Sequence, residues 1–293
     1  MSREGAGEAL LAQFEKHLVL THLSPLTIVN YLADLRALLR WGLDHWGPGF
    51  SLVTLTPDMV RAYRSHLLEE KRCAIATVNR RLQALRKFCA FAVQAGMMSS
   101  NPAEEVQLVQ SEGTTPAAPL TGKQIDELLR QSDNDQSGLA RRDTAILMLL
   151  LHTGLRVNEL VDLRLDDVQF DHPGTHLRVR NARNGHTRQV PLEGKVRYAL
   201  YEYLSVRPRV EGVAHLFLSR EGRPLSTRSV QRIVSARARA AGLKGVSPQA
   251  LRRTYASRLL ASTGDLGLVS RRLGHQNLTT TTRFLSASME DHA

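Results

Sequence analysis

HTGLRVNEL, residues 152–160, ends one kind of structure and begins another. Just before it, AILMLLL (145–151) is the longest apolar run in the chain, far short of the roughly 18 residues that cross a bilayer, and it reads as a buried helix. Gly154 breaks that pattern ahead of VNELVDL, and Arg156 stands just past the break. An arginine at a joint between two apolar segments needs an anionic partner, either a carboxylate such as Glu159 or a bound phosphate. Beyond the joint the period shortens. DDVQFD, THLRVR and TRQVPL read as three short strands, the last two joined by the tight turn NARNGH.

Working outward, helices are expected at 121–131, with Thr121 as N-cap, and at 141–152. After the strands come helices at 194–206, 227–241 and 248–263, with a last one near 279–290. The second part is therefore α+β with a small antiparallel sheet. The first part reads as a bundle of four helices. SPLTIVNYLADLRALLRWGL opens on Ser24 as N-cap and Pro25 at the first helical position, and TPDMVRAYRSHLL repeats the device with Thr56 and Pro57. ALLAQFEKHLVL precedes them, and ATVNRRLQALRKFCAFAVQAG closes the bundle at Gly96, a plausible C′ residue. Residues 107–120 are rich in small residues, Pro and Gly without apolar periodicity, so they read as a linker between an all-α domain at 1–106 and a mixed domain at 121–293.

Composition narrows the function. The net charge of +11 points to an anionic partner, nucleic acid before membrane, because no lipidation motif or basic amphipathic anchor accompanies it. Up to residue 110 there are 12 Lys+Arg against 10 Asp+Glu, and after it 27 against 18, so the excess is +2 and then +9. The positive surface lies mainly in the second part. MSREGAGEALLAQFEKHL carries acids and lacks a signal peptide's apolar core, so a cytoplasmic protein is expected, associated with the nucleoid when on DNA. Cys73 and Cys89 are far apart and lack histidines at metal-ligand spacing, so neither disulfide nor zinc is expected. Cys89 falls on the stripe Val78, Leu82, Leu85, Cys89, Ala92 and reads as core.

Two more places are able to hold a phosphodiester. SPQALRRTYASRLL (247–260) starts a helix at Ser247 and Pro248 and puts Arg252 in its first turns. LGHQN (273–277) sets His275 directly after Gly274, where a tight turn aims an imidazole. Taken singly, each has an ordinary explanation: an ion pair for Arg156, surface charge for Arg252, a capping or core role for His275. In the first part, Arg80, Arg81, Arg86 and Lys87 share a helix face without an acid among them, and contact with a DNA backbone is the alternative to a solvated face.

Together these stretches resemble the tyrosine recombinases, the phage-integrase and Xer-type group. TGLRVNELVDLRLDDV, the hairpin ending in RQVPL, SPQALRRTYASRLL and TGDLGLVSRRLGHQNLTTTTRF carry the resemblance, with LSPLTIVNYLADLRALLRW and ATVNRRLQALRKFCAFAVQAGMMSSNPA upstream. It spans residues 8 to 286 in the family's order. It implies a SAM-like helical core-binding domain and a catalytic domain that clamp double-stranded DNA, acting as homo- or hetero-tetramers on two sites. It also implies a tyrosine that attacks the scissile phosphate, two arginines on the non-bridging oxygens, a lysine that protonates the leaving oxygen, and assisting histidines. Neither metal nor cofactor is required.

By this resemblance Arg156 and Arg252 match the two arginines, and His275 the histidine of the LGH turn. Three positions depart. The hairpin lysine falls on Arg183, the first histidine of the His-x-x-Arg motif on Gln249, and the tyrosine on Phe284. Phe284 has no oxygen to attack with. Arg183 stays protonated and is a poor proton donor, and Gln249 donates a hydrogen bond but does not shuttle a proton. An engineered Tyr-to-Phe exchange is an alternative that explains Phe284 alone and not the other two, so natural loss of cleavage is favoured. The expectation is a DNA-binding protein unable to cleave alone. Two alternatives remain: a recombinase with a displaced or partner-supplied nucleophile, and a non-enzymatic interaction module. Among nearby groups, Ser286, Ser288 and Tyr255 offer little rescue, and Lys195 is a remote substitute for the hairpin lysine.

Overall fold

In the computed structural model, which describes residues 3–21, 23–110, 118–130, 137–171, 174–180, 187–275 and 277–286, the Ser-Pro and Thr-Pro pairs open helices. Ser24 accepts the Thr27 amide at 3.1 Å and Thr56 accepts that of Met59 at 3.3 Å, which satisfies amides that a helix start leaves without intrahelical partners. The first compact unit, Met1–Thr114, holds α1 (Arg3–Leu20), α2 (Pro25–Trp46), α3 (Pro57–Ser65) and α4 (Ile75–Gln94). α3 widens into a π-helical turn at His66–Glu70, and Gly96 follows α4 with φ +70°, the left-handed conformation expected of it.

Phe14, Leu18, Leu35, Leu38, Leu67, Leu82 and Phe88 fill the core of this bundle. Cys89 lies among them, and burial pushes its thiol up to about 12, so it behaves as a small apolar residue. Asp34 of α2 is buried and is paired by Arg80 and Arg81 of α4. Arg86 donates to the carbonyls of Ala103 and Val106 at 3.0 and 2.7 Å, and Asn79 brackets the backbone of Val109. Residues 107–109, within the stretch whose composition reads as linker, are thereby fastened to the bundle.

The second unit, Thr115–Ala293, is built around α6 (Gly138–Thr153). All of Ala145–Leu151 is buried, because α8 (Gly194–Val206), α9 (Thr227–Ala240) and α10 (Pro248–Thr263) all pack on it. α5 (Gly122–Arg130) adds Ile125 and Leu128 to the same core, and α7 (Val157–Val161) adds Leu160. The sheet has the order β1 (Val168–Asp171), β2 (Gly174–Arg180), β3 (Thr187–Pro191), antiparallel throughout, with Leu177 opposite Val190 and Val179 opposite Arg188. Alternation turns Leu177, Val179 and Val190 inward. The turn 181–186, with Arg183, lies outside the described residues.

Among the described residues the expected strands and α-helices are present, with one further α-helix; positions 287–290 of the last expected helix lie outside the described residues. α11 (Leu266–Leu273) precedes α12 (Leu278–Ser286), in a stretch for which the periodicity indicated no helix. Asp265 starts it by accepting the Leu268 amide at 2.8 Å, and Val269 and Leu273 bury its inner side.

Packing in the bundle makes a testable point at Gly42, near the C-terminal end of α2. A Cβ there would lie 2.1 Å from the buried Phe50 ring, so alanine, normally the better helix former, overpacks the site. Gly42→Ala is expected to lower stability by about 1–3 kcal/mol in denaturant titrations.

Candidate phosphate-binding site

Two left-handed glycines shape the site. Gly154 (φ +61°) ends α6 and Gly274 (φ +65°) ends α11, and each turns a carbonyl away from its helix toward the start of α10. Arg252, in the second turn of α10 and only 2% exposed, fills the space between them. Its Nη1 donates to the Gly154 carbonyl, and its Nη2 to the Leu273 carbonyl at 2.8 Å and to His275 Nε2 at 3.1 Å. Arg156, N-terminal to α7, reaches the same turn. Its Nη1 donates to the Leu273 carbonyl at 3.3 Å and to Glu159 Oε1 at 3.0 Å, and its Nη2 to the Gly274 carbonyl at 3.4 Å. The two guanidinium groups thus converge on a single backbone atom.

Glu159 ties them in place. Arg188 of β3 donates to both its oxygens at 2.8 Å, the Arg156 backbone amide adds a bond at 2.8 Å, and Arg252 Nη1 stands 3.9 Å away. Burial alone would push the Glu159 carboxyl up, but the hydrogen bonds and charge of Arg188, with the amide and charge of Arg156, hold it below the usual carboxylate range. Three guanidinium groups face one carboxylate, so positive charge remains in surplus. Burial, followed by the charges of its neighbours, pulls the Arg252 guanidinium down to about 9. Burial and the charges of Arg252, Arg156 and Arg188 push His275 down to about 4, so it is neutral at pH 7.

The proton on that ring has one place to be. Arg252 is always a donor, so Nε2 accepts and Nδ1 carries the hydrogen, which it gives to Thr281 Oγ1 at 2.9 Å. Thr281 is fully buried on α12 and receives that hydrogen. Phe284 stands edge-on to the imidazole with centroids 5.8 Å apart, and the Arg253 guanidinium lies 5.8 Å from its centroid. A surplus of fixed donors beside a half-buried neutral histidine can grip a phosphate monoanion and stabilise charge growing on it.

Arg156, Arg252, His275 and Phe284 are therefore brought together. Gln249 is not drawn into the arginine cluster; it is exposed in the first turn of α10 and lines a separate cavity with Leu155, Val157, Gln231, Ser235, Ser247 and Pro248. Arg183 falls outside the described residues. Tyr255 packs its ring against Gly154, where an added Cβ would lie 2.4 Å from its Cδ1, and burial keeps its phenol above the ordinary range. In the first unit the four cations of α4 are not equally free. Arg80 and Arg81 hold Asp34 and Arg86 holds two carbonyls, which leaves Lys87 as the exposed one without such a contact. Arg188 and Thr281 are the residues that reading the chain missed. Arg188 had a visible signal, since it shares an inward strand face with Val190 and a cation there requires a carboxylate.

Residues 119–291 match the description Phage integrase family, and residues 11–96 match Phage integrase, N-terminal SAM-like domain. The tyrosine recombinase XerC of Pelobacter propionicus is 32% identical over 272 residues, covering 92% of this chain and 87% of that one. XerC of Mycobacterium sp. (strain JLS) is 35% identical over 282 residues, covering 94% and 92%. Among solved structures, the XerH site-specific recombinase bound to palindromic difH substrate superposes with a TM-score of 0.75 at 19% identity, covering 91% of this chain and 78% of that one. The lambda integrase tetramer bound to a Holliday junction gives 0.74 at 20%, covering 97% and 78%. The fold is that of a tyrosine recombinase. The chain belongs to the phage integrase family.

Two outcomes follow from the imidazole. With a folded-state value near 4 against an ordinary 6.5, the unfolded chain takes the proton first, so the stability His275 contributes is complete above pH 6.5 and is lost as pH falls toward 4. Wild type should lose about 1–2 kcal/mol more than His275→Gln across that window in denaturant titrations, after allowance for solvent screening. Thr281→Val removes the acceptor for Nδ1–H but leaves the Arg252 donor on Nε2, so nitrogen NMR should show His275 keeping the Nδ1–H tautomer; a mixture of tautomers would contradict the assignment.

Proposed function

We propose that this chain binds double-stranded DNA, grips one backbone phosphate between Arg156 and Arg252, and forms no covalent bond to it. The observation that carries this reading is the convergence of both guanidinium groups beside a residue 284 that has no oxygen. In the family reaction a tyrosine oxygen bonds to phosphorus while the 5′-oxygen leaves with a proton. Phe284 removes the first event. Gln249 and Arg183 weaken the second, since one cannot shuttle a proton and the other scarcely releases one. The retained arginines supply charge for binding, which is why anchoring outlives bond-making.

In this reading residues 1–106 form the core-binding domain, 107–120 the linker and 121–293 the catalytic-type domain. Lys87 joins the DNA contacts, and Arg80, Arg81 and Arg86 shape the face around it. The protein acts in the cytoplasm, on the nucleoid, as an architectural or regulatory subunit or as the inert member of a tetramer with an active recombinase. Tyr255 is a poor replacement nucleophile because its ring is packed and its phenol holds its proton.

Incubation with labelled duplexes from its own locus should give salt-sensitive complexes and no SDS-resistant protein–DNA band; such a band from the unaltered chain overturns the reading. Phe284→Tyr should produce a weak band. Adding Gln249→His and Arg183→Lys should raise its rate of formation by about 100-fold or more, the usual contribution of placed acid–base groups.

A further inference from the structure

α8 presents to solvent a face that the fold does not use. Val196, Ala199, Leu200 and Tyr203 bury its inner side. At 100° per residue Gly194, Tyr198, Tyr201 and Ser205 lie within about 60° of one another, directly opposite that buried side. Tyr198 and Tyr201 are 67% and 62% exposed, and no other Tyr, Trp or Phe side chain among the described residues is exposed. Neither phenol makes a hydrogen bond or ring contact among the described residues. Tyrosine is a weaker helix former than lysine, glutamate or arginine, so two of them at the solvent apex cost the helix a little and gain it no packing. With Gly194 and Arg197 the two rings line an open groove of about 390 Å³, and a Cβ added at Gly194 would meet nothing within 4 Å.

The charges around the groove say what fits it. Lys195 and Arg197 stand on either side of the tyrosine stripe, both exposed and without an ion pair among the described residues. The nearby carboxylates turn elsewhere: Glu193 lies 3.4 Å from His152, and Glu202 lies 3.6 Å from Arg141. The unpaired charge is therefore positive. It does not form a track, because beyond Arg197 the outer stripe of α8 carries Tyr198, Tyr201 and Ser205 and no cation. A nucleic-acid strand needs cations spaced along its backbone, so two near one end of a helix suit it poorly. Area narrows the choice further. At these exposures the tyrosine pair offers about 200–300 Å², well below the roughly 800 Å² that each folded partner usually buries. That suits a short extended segment and falls short of a second folded copy.

We infer that this face of α8 docks a short acidic segment of a partner protein. An apolar side chain of the segment lies against the two phenol rings over Gly194, and carboxylates on either side of it pair with Lys195 and Arg197. Tyrosine suits the task because it supplies a large contact area with few rotatable bonds, and a hydroxyl for the partner's backbone. The Arg197 guanidinium adds a planar fork that matches a carboxylate. Tyrosine and arginine are also among the residue types that carry most of the binding energy at protein interfaces.

Panning a display library of random dodecapeptides on the full-length chain tests it, with the chain carrying both Tyr198→Ala and Tyr201→Ala as counter-target. Both rings lie outside the core, so the counter-target keeps the fold. Enriched peptides should carry two or more Asp or Glu residues around an apolar one. A fluorescent copy of the leading peptide should bind the double variant about 10-fold to 100-fold more weakly than wild type. Arg197→Glu should turn the selection from acidic toward basic peptides, a reversal that misfolding does not produce. The inference is overturned if no peptide separates wild type from the counter-target, or if the enriched peptides are neutral or basic. It is equally overturned if the two tyrosines instead govern binding of a fluorescent single-stranded oligonucleotide, or a self-association seen by sedimentation, since the face would then belong to nucleic acid or to a second copy.

Discussion

One carboxylate organises the second unit. Glu159 accepts from Arg188 on the sheet and from Arg156 at the head of α7, and it lies within ion-pair distance of Arg252 on α10. Its side chain is almost fully buried, so its charge is tolerated only because guanidinium groups surround it, and theirs because it is there. Removing it would leave Arg188 and Arg252 as poorly solvated cations facing each other, a cost of about 3–5 kcal/mol for a broken buried pair. The hairpin, the joint after α6 and the LGH turn are thus held in register by the group that also sets the arginines' aim.

In the function proposed above, that aim is what lets gripping separate from cutting. Guanidinium groups hold an anion through charge and geometry, neither of which depends on residue 284. Cutting needs a nucleophilic oxygen and a group that yields a proton. A neutral His275, pinned between Arg252 and Thr281, keeps the pocket ordered without adding charge. Phe284 completes the packing with an edge-on ring against that imidazole and a cation on its face. In the function proposed above, the missing oxygen at residue 284 removes the reaction, while these contacts support the surrounding structure.

Much of this was legible in the chain. Ser-Pro and Thr-Pro mark helix starts because both residues satisfy local backbone demands, and Ala145–Leu151 marks the central helix because no face of it tolerates water. Arg156, Arg252 and His275 were each marked by a local turn or helix start, but their convergence spans long sequence separations and was indicated only by the family resemblance. Long-range partnerships were harder to see. The pairing of Asp34 with Arg80 and Arg81 spans two helices, so an apparently unopposed cationic face is partly neutralised by an acid distant in sequence. Arg188 meets a carboxylate 29 residues away in sequence, so strand alternation marks it as an inward cation but does not name its partner. α11 was missed because its glycines mask a short helix whose stability comes from burying Val269 and Leu273.

The most direct measurement walks a single neutral methylphosphonate along each strand of a bound duplex and records affinity for wild type and for Arg156→Ala. A pocket that holds one phosphate predicts a sharp loss at one position, and that loss should largely vanish in the variant. A uniform, shallow penalty at every position, unchanged by the substitution, would contradict it.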